Sequence, residues 1–340
     1  MSITITGGIS LGGGGWTVTA APPTTATAGW WAGGYYAGYN YYSTVNRVTF
    51  ATDTATATTR GSLSQARQLI GGTGTFTYGW FAGGRIPGSP GPNGTMSIID
   101  RITYATDTGT ASVRGAFGGN YGGIAEMGVV TDGTTYGWWG GGYTGGQTRS
   151  FVARLIFATD TNATTFRGPL AAIQQNQSGV SNADDGWFGG GYRPSTSTFL
   201  SLIQRINYAT DTATGVTKGP MTIQKSGLAG TSDNSTYGWF SGGAQNSTPS
   251  GLFSGDSTIQ RITYANDTVT ATVRGTLVGP CPGISNAGTG NTTDGWIAGG
   301  GYSGSSAVQR MTYATDTASS SIRGPLTWNV KNTSSAAGIQ

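Results

Sequence analysis

A glycine–tryptophan pair recurs six times along the chain, at Gly29, Gly79, Gly137, Gly186, Gly238 and Gly295, with spacings of 50, 58, 49, 52 and 57 residues. A repeat at this period predicts one supersecondary unit copied along the chain, each copy burying its apolar face against its neighbours. The second copy reads Gly79-Trp80-Phe81-Ala82-Gly83-Gly84, a variable stretch, then Asp100-Arg101-Ile102-Thr103-Tyr104-Ala105-Thr106-Asp107-Thr108, then Thr110-Ala111-Ser112-Val113-Arg114-Gly115. The other copies keep this frame.

Each copy carries four strand signals. The aromatic pair before Gly-Gly marks a strand ending in a sharp turn. Arg-Ile-Thr-Tyr alternates, placing Ile102 and Tyr104 on one face and Arg101 and Thr103 on the other. Thr-Asp-Thr supplies the next turn, with Asp107 expected to accept from nearby backbone N–H groups. The returning strand carries Val113 and ends at Arg114-Gly115. A fourth lies between that glycine and the next Gly-Trp. No helical periodicity competes with this pattern.

Four antiparallel strands per unit of about 50 residues predict an all-β, six-bladed propeller over residues 29–340. The last Arg323-Gly324 is followed by only enough chain for one innermost strand. Residues around Thr333 to Ile339 are therefore expected to complete the blade that begins at Gly29, closing the ring and removing open sheet edges. Residues 1–28 are surplus to six blades. Ile3 and Ile5 alternate, Gly12 to Gly15 interrupts, and Trp16 and Val18 alternate again. This predicts a short β-hairpin arm, serving as a cap or a docking segment.

Composition narrows the function classes. Charged residues make up 9% of the chain, yet 10 Trp, 16 Tyr and 11 Phe demand burial, which separates it from disordered sequences. The net charge of +4 comes without any Lys/Arg run, so no nucleic-acid partner is expected. No stretch approaches the roughly 20 apolar residues of a membrane span, and the N-terminus shows no secretory pattern. A single cysteine, Cys281, fits assembly in a reducing cytoplasm. The chain has no histidine and one glutamate, Glu126. Histidine-dependent triads and most zinc or copper ligand sets are thereby excluded, and neither enzymatic activity nor a metal or cofactor is expected. Asp184-Asp185 and Asp132 sit in loops, without the placement of a paired-carboxylate hydrolase.

The repeated charges read as parts of the blade. Arg47, Arg101, Arg154, Arg205, Arg261 and Arg310 precede the third strand, Arg60, Arg114, Arg167, Lys218, Arg274 and Arg323 end the outermost one, and Asp53, Asp107, Asp160, Asp211, Asp267 and Asp316 mark the turns. Trp30-Trp31 and Trp138-Trp139 read as core before they read as sugar platforms.

Gly-Gly after an aromatic strand and the later tyrosine resemble kelch repeats, apart from the Ala-Thr-Asp-Thr turn and the missing outer-strand tryptophan. Units such as Gly186-Trp187-Phe188-Gly189-Gly190-Gly191-Tyr192, followed by Arg205-Ile206-Asn207-Tyr208-Ala209-Thr210-Asp211-Thr212, resemble kelch-like proteins of marine tailed phages, especially those of cyanobacterial hosts. That resemblance implies a structural virion protein, associated with the tail as fibre, adhesin or decoration and assembled in the host cytoplasm. It also implies other virion proteins as partners, in a homo-oligomer or symmetric assembly, and contact with a host-surface glycan or protein. A glycan-binding propeller and a capsid or neck decoration protein are the alternatives. The connections between second and third strands vary between blades, and variable loops carry function. Ile86, Phe151, Phe199, Leu200, Leu252 and Phe253 in these loops are the expected protein contacts.

Overall fold

The computed structural model of the chain describes residues 9–12, 15–18, 25–36, 40–87, 94–118, 122–246, 253–278, 287–300, 304–331 and 334–337. It is a six-bladed β-propeller with four antiparallel strands in every blade. Blade 2 runs from the axis outward as Gly71–Gly74, Tyr78–Ala82, Ile98–Thr103 and Ser112–Ala116. Blades 3 to 6 repeat this order.

Blade 1 is assembled from both ends of the chain. Ser334–Ala337 forms its innermost strand, with Ala337 opposite Gly29 and Ser334 opposite Ala32. Ala28–Ala32 then pairs with Thr44–Thr49, and that strand with Thr58–Ser62. The expected closure is observed. Near the N-terminus, Ile9–Gly12 and Gly15–Val18 form a separate antiparallel hairpin.

The core lies between blades, and one residue pattern builds it six times. The tryptophan of each Gly-Trp pair is buried and stacks on the aromatic residue that ends the third strand of the next blade. Trp80 lies on Phe157 with ring centroids 4.1 Å apart, Trp138 on Tyr208 at 4.0 Å, and Trp239 on Tyr313 at 4.1 Å. Trp296 on Phe50, at 3.7 Å, makes the same stack across the closure. Such offset pairs add about 0.5–1.5 kcal/mol each beyond area burial. Trp31 and Trp139 are fully buried as well, so both tryptophan pairs are core.

The turn aspartates depart from the local role expected of them. Each ends a one-turn 3-10 segment such as Tyr104–Thr106, and its carboxylate reaches into the preceding blade. Asp160 accepts from Trp80 Nε1 at 2.8 Å, Arg101 at 3.0 Å and Arg114 Nε at 2.8 Å. Asp211 does the same with Trp138, Arg154 and Arg167, and Asp316 with Trp239, Arg261 and Arg274. Asp107 takes Trp30, Arg60 and Arg47, and Asp267 takes Trp187, Arg205 and Lys218. Asp53 closes the ring on Trp296, Arg310 and Arg323. Twelve of the 18 cations and six of the 14 acids are thus used in six clamps between blades.

Glycine follows from the same geometry. Gly115 N–H donates to the Asp160 carbonyl at 2.7 Å, and a Cβ there would lie 2.0 Å from the Asn162 carbonyl oxygen. Only glycine admits so close an approach. Gly83 and Gly84 have φ of 66° and 104°, conformations that side-chain-bearing residues rarely adopt, and they turn the chain out of the second strand.

Candidate contact face

Because strands alternate in direction, the chain leaving each Gly-Gly turn emerges on the same face as the crossings between blades. On four blades it continues there as a small ribbon. Tyr35–Tyr36 pairs with Asn40–Tyr41, Tyr143–Thr144 with Gln147–Thr148, Tyr192–Arg193 with Thr198–Phe199, and Ala244–Asn246 with Phe253–Gly255. The variable segments are therefore shaped β-structure.

The apolar residues singled out from sequence are placed unevenly. Phe199 is only 4% exposed and meets Tyr192 edge-on at 5.6 Å, so it anchors its ribbon and is not offered to solvent. Phe151 is half-buried against Phe166, with centroids 5.2 Å apart. Ile86 is half-buried, its N–H donating to the Gly94 carbonyl at 2.9 Å. Leu200 is half-buried and bridged to Lys225 through the backbone. Phe253 opens the blade-5 ribbon, and Leu252 lies outside the described residues.

What this face does present is tyrosine and positive charge. The six cations outside the clamps are Arg67, Arg85, Arg149, Arg193, Lys225 and Lys331, and all lie in its ribbons and crossings. Two are consumed internally. Arg67 is fully buried, pairs with Asp100 at 2.9 Å and donates Nε to the Gly83 carbonyl at 2.7 Å. Lys225, equally buried, binds Asp256 and Thr258. Burial lowers the pKa of both cations, against the opposing pull of their aspartates. Arg85, Arg149, Arg193 and Lys331 are only half-buried. Arg85 lies over the Tyr143 ring at 5.8 Å and Lys331 over Tyr35 at 5.4 Å, contacts that link neighbouring structures on the face.

Near the axis, one residue in each of blades 2 to 5 enters the innermost strand with positive φ: Leu69, Glu126, Asn176 and Gly227. Glu126 N–H donates to the Leu69 carbonyl at 3.2 Å, Asn176 N–H to that of Glu126 at 2.8 Å, and Gly227 N–H to that of Asn176 at 2.8 Å. Glu126 Oε2 accepts from Asn176 Nδ2 at 3.0 Å. Burial pushes the Glu126 carboxyl up to about 7, while Arg85 and the Asn176 amide hold it back. Between the blade-3 ribbon and the Pro194–Thr196 turn lies a cleft of about 350 Å³, lined by Tyr143, Gln147, Thr148, Ile173, Pro194 and Ser195.

No family model and no curated protein matches this chain. The sequence reading missed the ribbon tyrosines. Their signal is positional, since Tyr35, Tyr143 and Tyr192 directly follow a Gly-Gly pair. A second signal was available in the cations that break the repeat.

Proposed function

We propose that the chain is a non-enzymatic structural protein of a tailed-phage virion. In this reading it is a tail-associated fibre, adhesin or decoration propeller that binds through its ribbon face. The observation that carries the binding part is the division of charge. The repeated cations and aspartates neutralise one another at blade boundaries, whereas Arg85, Arg149, Arg193 and Lys331 accompany tyrosines around one face. Tyrosine and arginine are the residues enriched at binding hot spots. The absence of histidine from the sequence supports the non-enzymatic part. The virion part rests on the resemblance of the repeat to kelch-like phage proteins. Other virion proteins are the expected partners, in a symmetric assembly.

A second reading has its own observation. The roughly 350 Å³ cleft beside Tyr143 combines an aromatic ring with amide and hydroxyl groups, a composition suited to a sugar, so a host-surface glycan is the alternative ligand.

Antibody labelling of purified tailed-phage particles from the source that encodes the chain tests the proposal. Labelled particles support it, and particles lacking the chain overturn it. Tyr192→Ser combined with Arg193→Ser is expected to weaken attachment of the chain to particles or cells at least tenfold, with the melting temperature unchanged within about 3 °C because neither residue belongs to a clamp. A glycan array separates the sugar reading from pure scaffolding.

A further inference from the structure

In blades 2 to 6 the residue before the Gly-Trp pair meets the arginine of its own blade. In blades 2, 3 and 5 it is tyrosine, with Arg101 over Tyr78 at 4.3 Å, Arg154 over Tyr136 at 4.6 Å and Arg261 over Tyr237 at 4.1 Å. In blades 4 and 6 it is aspartate, with Asp185 at 3.6 Å from Arg205 and Asp294 at 3.8 Å from Arg310. In blade 1 it is Ala28, which sits opposite Thr49 in the same register that Tyr78 takes opposite Thr103. Arg47 consequently has neither ring nor carboxylate from this position. Its side chain is 29% exposed, against 18–20% for the three arginines under tyrosine and 29–31% for the two beside aspartate, so it lacks the ring cover in particular.

A cavity of about 300 Å³ lies where the missing side chain would be, lined by Ala28, Trp30, Arg47, Thr49, Phe76 and Tyr104. That volume is at the lower end of small-ligand clefts, which span roughly 300–1,000 Å³. A second irregularity meets the first there. Phe76 occupies the turn between the two inner strands of blade 2, and the corresponding turns of blades 3 to 6 (132–135, 182–184, 233–236 and 291–293) contain no aromatic residue. Among the described residues, this blade boundary therefore lacks the internal cover of the others and has an aromatic wall instead. The cavity lies on the face opposite the ribbons, so it is independent of the contact face.

We propose that this cavity is a binding site for a small phenolic acid. The molecule itself assigns the chemistry. Three sister positions are filled by a phenol ring over the guanidinium and two by a carboxylate beside it. A ligand joining both groups satisfies Arg47 by cation–π contact and by charge, while Phe76 and Tyr104 flank its ring.

The test is ligand-observed NMR titration of the full chain with 4-hydroxyphenylacetate, in parallel with acetyl-tyrosine amide. Saturable binding of the acid at one site is expected, with Ala28→Tyr weakening it at least tenfold by supplying the missing ring from within. Phe76→Ser removes the aromatic wall that the other boundaries lack and is expected to weaken binding of the acid at least tenfold. This second variant decides the matter should Ala28→Tyr fail to fold. The proposal is overturned by no saturable binding of the acid, by equal binding to Ala28→Tyr, by unchanged affinity in Phe76→Ser, or by binding of the tyrosine amide alone.

Discussion

Asp160 receives one indole N–H and two guanidinium groups while itself almost fully buried, so its charge is held by the blade before its own. Asp160→Asn keeps an acceptor for Trp80 but removes the charge, leaving Arg101 and Arg114 uncompensated. Breaking one side of a largely buried pair costs roughly 3–5 kcal/mol, and the partial exposure of both arginines reduces that to about 2–4 kcal/mol. Urea unfolding is expected to show that loss, and a variant as stable as the parent contradicts the clamp. Burial alone would raise Asp211 and Asp316, yet hydrogen bonds from Arg167 and Trp138, and from Arg274 and Trp239, prevail and hold both below the ordinary aspartate value. Their stabilisation is present at neutral pH and is lost as pH falls below about 4. Glu126 acts in the opposite sense. Its folded pKa of about 7 lies above its ordinary 4.5, so the folded state binds the extra proton between those values. Stability is expected to rise as pH falls from 8 to 5, and Glu126→Gln should remove that slope in thermal melts. The chain has no histidine, so no imidazole competes with it in this window. The recurrence of these charges was legible in the sequence, but their direction was not. An aspartate in a tight turn has backbone N–H groups beside it, and nothing local announces a tryptophan 80 residues earlier.

At the level of elements, the Arg-Gly that ends each outermost strand is a joint. The arginine reaches the next blade's aspartate side chain, and the glycine lets the backbone donate to that aspartate's carbonyl. Gly115→Ala places a methyl 2.0 Å from the Asn162 oxygen, so backbone must move. A loss of about 2 kcal/mol or more is expected, measured by denaturant unfolding, whereas Gly145→Ala, in a ribbon turn open on all sides but with φ of 58°, should cost about 1 kcal/mol. Four strands per repeat were readable because Gly-Gly, the aromatic pair and the Thr-Asp-Thr turn punctuate the pattern. The candidate face was readable only as variable loops. Hydropathy pointed to Phe199 and Phe151, but a short ribbon needs an apolar anchor of its own, which Phe199 supplies, and Phe151 packs on Phe166 of its blade's outermost strand. The ribbon tyrosines and the cations outside the repeat lie on that face instead.

Across the whole molecule, one joint differs from the rest in being made by distant parts of the chain. The Asp53 clamp joins the sixth blade to the first, and Ser334–Ala337 supplies the first blade's innermost strand. Without that strand, Ala28–Ala32 would be left as an uncovered edge facing the axis. The ring is accordingly expected to unfold as a unit, with every blade dependent on the last strand. The direct measurement is a circular-dichroism melt of the chain lacking residues 334–340 beside the full chain. A single transition is expected for the full chain, and a midpoint lowered by more than about 10 °C for the truncated one. A truncated chain melting at the parent's temperature contradicts it.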